Sequence, residues 1–309
     1  MEHDLRPADR VEVTVLVDNY TDQLLKQSTA VDHRMKLDSG NCILAEHGLS
    51  CLVRVYSQST VHTILMDTGL STISLFHNAK QLGCNLDEAE CVVLSHGHHD
   101  HTGGLVEFFR RSSRPVPLVF HPDAFLARRI TFPGMSPVPL PHPDLSELGR
   151  SGAILQERAS ASALAAGHLL VTGEVPRITG FERGLPGAEA WNGSEWVTDP
   201  IRDDQALVIH IRNKGLVIIS GCAHAGIINT IRYAQELTGT GKVHAVLGGF
   251  HLSGTEFEPI IEPTIKAMQE ISPDYLVPMH CSGWKAINRF MEAMPGRCIL
   301  NTVGTTYIF

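Results

Sequence analysis

Apolar positions recur with two different periods along this chain. Val11-Glu12-Val13-Thr14-Val15-Leu16-Val17 alternates and is rich in β-branched residues, which predicts a strand. Two more strands are expected at Cys51–Tyr56 and His62–Met66, with Ser57-Gln58-Ser59-Thr60 as the turn of an antiparallel hairpin. Ser71 is placed to cap a helix running to about Leu82, where Gly83 stops it. The apolar run Cys91–Leu94 reads as a strand. The amphipathic run from Leu105 starts a helix to about Arg111, and Val116–Phe120 is a further strand.

From about Thr131 to Gly167 the pattern fades. Pro133, Pro137, Pro139, Pro141 and Pro143 crowd this stretch, and a regular helix or central strand would not tolerate them. An irregular excursion at about 131–167 is expected, either over the mouth of a site or as a plain surface loop. Regular structure resumes with a strand at His168–Thr172, followed by a loop through Trp191 and Trp196. A hairpin of Ala206–Ile211 and Leu216–Ile219 and a helix from Ile227 come next. The last third alternates strand and helix: Val243–Leu247, Pro263–Ile271, Asp274–Met279, a helix from Trp284 and a closing strand at Thr305–Phe309. Helices flanking two β layers, with no linker of disordered composition, predict one α/β domain over residues 1–309, a four-layer αββα sandwich.

Composition supplies a core and excludes some partners. Of 309 residues, 43% are hydrophobic, and the formal net charge of −8 argues against a general nucleic-acid surface. No apolar run is long enough to span a bilayer, and Met1-Glu2-His3-Asp4-Leu5-Arg6 lacks the apolar core of a signal peptide. The seven cysteines are odd in number and form no CxxC pair, and several lie in apolar runs, as expected of reduced thiols in a cytoplasmic protein.

The seventeen histidines change the picture most, through one stretch: Ser95-His96-Gly97-His98-His99-Asp100-His101-Thr102-Gly103-Gly104. Four potential metal ligands, His96, His98, Asp100 and His101, fall within six residues at the end of a strand. A polar turn rich in histidine by accident is the bland alternative, but His and Asp at this spacing rarely lack a metal. A tight turn can aim His96 and His98 at one ion and Asp100 and His101 at a neighbour, with His99 pointing away. Imidazole and carboxylate suit zinc, manganese or iron.

Further ligands should lie just beyond strand ends on the same edge, which selects His224, His251 and His280. His251 follows Gly248-Gly249, where a substrate can approach the backbone, so substrate contact or proton transfer is expected of it. Cys222 is either a thiolate near the metal or a buried thiol. Glu174 and Arg177, at a strand end beside Pro176, are candidates to line the site. Arg128 and Arg129 border the irregular stretch and are weaker candidates to meet an anion.

The His-x-His-x-Asp-His pattern resembles the signature of the metallo-β-lactamase superfamily. Val15-Leu16-Val17-Asp18-Asn19, Glu46-His47-Gly48-Leu49-Ser50, Thr172-Gly173-Glu174-Val175-Pro176-Arg177, Ser220–Gly226 and Gly248-Gly249-Phe250-His251-Leu252 narrow the resemblance. They are similar to the group that includes 7,8-dihydropterin-6-yl-methyl-4-(β-D-ribofuranosyl)aminobenzene 5′-phosphate synthase. The resemblance implies two divalent ions, zinc ahead of manganese, iron or magnesium. It implies His224 and His280 as later ligands, with Gly221-Cys222 where the superfamily commonly has Gly-Asp. It also implies that Asp67, in Asp67-Thr68-Gly69, orients a ligand histidine through its second ring nitrogen. The substrate implied is a small, anionic, phosphorylated or diphosphate-bearing molecule. Two chemistries fit these ligands: transfer with loss of diphosphate, or hydrolysis of a phosphodiester, lactone or thioester by a metal-bridging hydroxide, with Asp100 or His251 handling the proton. A non-enzymatic metal sensor is the third, remoter reading.

Overall fold

The computed structural model describes residues 5–35, 42–132 and 134–309. Met1–Asp4 and Pro133, used above, lie outside these residues. Two main sheets carry the chain. The first has eight strands in the order Asp32–His33, Thr306–Ile308, Arg10–Val17, Ser50–Ser57, Thr60–Met66, Cys91–Val93, Val116–Phe120 and Ala153–Glu157. The second has six: Ser160–Leu164, Leu169–Gly173, Ala206–Ile211, Gly215–Ser220, Val243–Gly249 and Tyr275–Met279. Each starts as an antiparallel meander and ends as parallel strands joined through helices, so parallel strand ends gather on one edge of each sheet.

Three apolar clusters define the layers. Val13, Val53, Ile64 and Val93 of the first sheet pack against Val171, Leu207, Val217 and Leu247 of the second. On the outer face of the first sheet, Leu52, Leu65 and Val92 meet Leu75, Leu105, Phe108 and Leu148 from the helices Thr72–Gln81, Leu105–Arg111 and Leu145–Arg150. On the outer face of the second, Val208, Ile218 and Val246 meet Ile228, Ile231, Ile265 and Phe290 from the helices Ile227–Thr238, Ile261–Ile271 and Trp284–Ala293. Alternating strand residues thus face opposite layers, and the result is the α/β sandwich expected, helix–sheet–sheet–helix. Ser71 caps its helix through a bond from Ile73 N, and Gly83 follows with φ +66°.

The stretch expected to be irregular is instead built into sheets. Val138–Leu140 pairs with Arg128–Ile130, and these join Ala188–Trp191 and Trp196–Thr198 in a third, four-stranded sheet. Leu145–Arg150 is a helix, and Ala153–Glu157 and Ser160–Leu164 are outer strands of the two main sheets. The physical reason is position. Val138–Leu140 is an edge strand, where Pro139 is tolerated, and outer strands need no continuous apolar pattern. The expected loop through Trp191 and Trp196 is likewise a hairpin, with the two indoles edge to face at 5.7 Å. No helix among the described residues is long and apolar enough to cross a membrane.

Candidate metal centre

The ends of five parallel or near-parallel strands meet at one place. Asp67 follows Thr60–Met66, and His96 to His101 follow Cys91–Val93. Cys222 and His224 follow Gly215–Ser220, His251 follows Val243–Gly249, and His280 follows Tyr275–Met279. The motif is not a simple turn, because His99–Thr102 forms one short helical turn that starts just after His98. That turn puts Asp100 and His101 on a different heading from His96 and His98.

Three sets of donor atoms lie within 4.8 Å of one another: Asp100, His101, Cys222 and His280; His96, Cys222 and His224; and Cys222, His251 and Cys281. Cys222 is common to all three. Its Sγ lies 3.2 Å from His101 Nε2. Asp100 Oδ2 lies 3.3 Å from His280 Nε2 and 3.7 Å from His101 Nε2. His98 Nδ1 faces His224 Nε2 at 3.1 Å.

Chemistry in this corner favours a cation. Among the described residues, His96 Nε2, His224 Nδ1 and His251 Nδ1 are buried nitrogens without a hydrogen-bond partner, an arrangement that costs about 1–3 kcal/mol per group unless something else satisfies it. Burial pushes His96, His98 and His224 down, His98 to about 4, which keeps them neutral with lone pairs free. Burial works against charge on Asp100 too, but His101 and His280 hold its carboxyl well below the usual range. Burial also disfavours a charged His101, yet Asp100 and Asp67 raise it to about 9. The negative field that retains a proton there is one that would retain a metal ion.

Supporting bonds fix these donors. Asp67, buried at φ +58°, accepts from Ser95 N at 2.7 Å and Ser95 Oγ at 2.6 Å and holds His101 Nδ1 at 2.7 Å. This leaves His101 Nε2 toward Cys222. Asp67→Ala is expected to weaken metal binding about 10–100-fold, measured by competition with a chelator; unchanged affinity would remove the orienting role. His280, at φ +52°, is clamped by residues from the far end of the sequence, Asp18 and Asn19, which follow the strand Arg10–Val17. Its N–H donates to Asp18 Oδ1 at 2.9 Å, its Nδ1 lies 3.2 Å from Asn19 Oδ1, and Asn301 Nδ2 donates to Asp18 Oδ2 at 2.6 Å. Ala223 and His251 also have positive φ, +54° and +46°, so strained backbone gathers at the site.

A cavity of about 640 Å³ opens onto this cluster. His98, Asp100, Cys222, His224, His251 and His280 line it, and so does His99, which was expected to point away. His47, from the Glu46–Ser50 stretch, lines it as well, 3.6 Å from Asp100 Oδ2. Ile130 and Leu140 of the third sheet line it too, and Leu140 belongs to the Thr131–Gly167 stretch.

Four charged candidates stand elsewhere. Glu174 lies outside the cavity near Arg202, at 3.9 Å, and Arg177 donates to the Pro200 carbonyl. Arg128 is buried and paired with Asp199 and Asp203, and Arg129 pairs with Glu189 and lies over Trp196 at 4.4 Å. Neither arginine is free to meet an anion.

A model of the Metallo-beta-lactamase superfamily matches residues 48–191. The chain is 32% identical over 256 residues, 80% of its length and 85% of the relative's, to the 7,8-dihydropterin-6-methyl-4-(beta-D-ribofuranosyl)-aminobenzene-5'-phosphate synthase of Methanocaldococcus jannaschii. With these matches and this fold, the chain belongs to the metallo-β-lactamase superfamily and is an enzyme of the group similar to that synthase. It is also 28% identical to the uncharacterized protein MJ0448 of the same organism, over 80% of this chain and 88% of that one. Among solved structures, Tm1679, described as a metal-dependent hydrolase of the beta-lactamase superfamily, superposes with a TM-score of 0.74 at 24% identity. That match covers 96% of this chain and 98% of the other.

Proposed function

We propose that this chain is a binuclear metal enzyme of synthase type, acting on a small phosphorylated or diphosphate-bearing substrate. The observation that carries this reading is the pair of donor sets sharing Cys222, with buried imidazole nitrogens that have no other partner. His96, His98, Cys222 and His224 would hold one ion, and Asp100, His101, Cys222 and His280 the other. The thiolate and imidazole donors favour zinc over magnesium, with iron or manganese as substitutes. Bound there, two divalent ions would supply Lewis acidity and neutralise a diphosphate group.

The side chains supply the rest. Asp67, Asp18 and Asn19 orient the ligands. His251, packed on His224 at 4.1 Å and on Phe257 at 4.6 Å between ring centres, lines the cavity where the substrate would lie. By likeness to the synthase, a dihydropterin-methyl diphosphate would lose diphosphate as the aminobenzene partner bonds to the methylene carbon. The proton lost from that partner would pass to His251.

The test is diphosphate release from a dihydropterin-methyl diphosphate by the metal-loaded enzyme, with and without the ribofuranosyl-aminobenzene phosphate. Release that requires the acceptor, and stops on chelation, is expected. Release without acceptor, or none beside rapid cleavage of a model phosphodiester or lactone, would replace transfer by hydrolysis.

A further inference from the structure

The cavity is chemically divided. Its floor is the donor cluster. Away from that cluster its lining is mostly apolar and aromatic, with Tyr20, Leu70, Leu185, Trp284, Ile287 and Leu300 beside the polar Asn19, Ser253 and Asn301. Among the described residues that line it there is no lysine or arginine, although a phosphorylated substrate would ordinarily meet such side chains. An anionic group therefore finds its positive partner at the floor, and whatever extends outward meets rings and aliphatic carbon.

Trp284 is the prominent feature of that lining. It is 52% exposed although it opens an amphipathic helix, Trp284–Ala293, whose Ala286, Ile287 and Phe290 are buried. It is held in place from two directions. Tyr20 meets its indole edge to face, with 5.0 Å between ring centres. Gly283, at φ +76°, presses so closely on Ser253 that an added Cβ would lie 2.7 Å from the serine Cβ, which fixes where the helix begins. A half-exposed indole, in perpendicular contact with Tyr20 and lining a binding cavity, is a surface for stacking rather than a packing residue.

We propose that Trp284, braced by Tyr20, is the specificity-determining stacking platform for a flat, uncharged ring of the substrate, whose anionic end lies at the donor cluster. This rests on the cavity being the substrate site, as proposed above, and deepens it by dividing recognition between two ends. Stacking on one aromatic side chain typically contributes enough to change affinity about tenfold or more.

The experiment uses the full chain and three probes: 6-hydroxymethylpterin, 1-naphthol and inorganic pyrophosphate. Binding is followed by calorimetry on the wild type, Trp284→Ala, Trp284→Phe and Tyr20→Ala. In Trp284→Ala, the affinity for the ring probes is expected to fall about tenfold. Trp284→Phe should largely restore it and Tyr20→Ala should weaken it less, while pyrophosphate binding to the metal-loaded protein is unchanged in all variants. With substrate, KM should rise and kcat hold. If 1-naphthol binds in a Trp284-dependent way and the pterin does not bind, the pterin substrate falls and the stacking platform stands. Ring affinity that is absent in the wild type, equal in Trp284→Ala, or lost together with pyrophosphate affinity overturns the platform.

Discussion

Cys222→Ala is expected to release metal from both donor sets and to lower kcat/KM by at least about a thousandfold, or ~4 kcal/mol of transition-state stabilisation. The expectation rests on the thiol's position. Its sulfur belongs to every donor group in the site and lies 3.2 Å from His101 Nε2. With His96 and His224 it makes one donor set, and with Asp100, His101 and His280 another. Burial pushes the free thiol up, so it ionises only if a cation takes the proton's place. Cys222→Ala removes one small group from a buried position, and packing alone would cost little. The larger loss would be metal. Elemental analysis should fall from about two equivalents to below one. Cys222→Asp, which restores the superfamily's commoner Gly-Asp, should recover much of the metal and part of the activity, because a carboxylate of similar length can bind the same ions. A Cys222→Ala protein that keeps both ions would place the thiol outside the metal centre.

What the sequence disclosed followed the range of the interactions involved. Strands such as Val11–Val17 and Cys51–Tyr56 face two apolar layers, and their composition says so within a few residues. The motif from His96 to His101 was equally local, since four donors come from one turn. The Thr131–Gly167 stretch was misread because its strands are edges, where neither apolar alternation nor freedom from proline is required. At the site, the unread parts are long-range. Asp18 holds His280 across 262 positions and Asn301 holds Asp18 across 283, while Asp203 holds Gly97 across 106. A local pattern cannot register such pairs. Arg128 was misassigned for the same reason: its two carboxylate partners lie more than 70 positions away, so it looked like an unpaired cation beside a loop. Cys222 stood open between ligand and buried thiol because a cysteine after Gly221 fits either role, and its neighbours His101, His224 and Asp100 come from distant stretches.

Arg128→Ala is expected to destabilise the fold by about 3–5 kcal/mol, the usual cost of leaving a buried ion pair with one partner, and to loosen the metal motif as it does so. The guanidinium is buried. Nε donates to Asp199 Oδ2 at 2.6 Å, Nη1 to Asp203 Oδ2 at 3.2 Å and Nη2 to Asp203 Oδ1 at 2.5 Å. Its removal would strand two carboxylates. One of them is tied to the motif directly, for Asp203 Oδ2 also accepts the Gly97 N–H at 2.7 Å, between His96 and His98. The chain is tight there: a Cβ on Gly97 would lie 1.7 Å from the Ala124 carbonyl and 2.6 Å from Arg128 Nη1. Arg128 therefore helps set the path of the backbone that carries both histidines. Arg128→Lys keeps the charge but not the fork that serves two carboxylates, and should fall between the wild type and Arg128→Ala. Urea unfolding with metal chelated gives the stability without the added stabilisation of bound ligand; chelator competition on the folded variants gives the metal affinity. Both should fall for Arg128→Ala. A variant as stable as the wild type would refute the buried network. Lost stability with unchanged metal affinity would detach the network from the motif it touches, because a shift of the Gly97 backbone must move His96 and His98 with it.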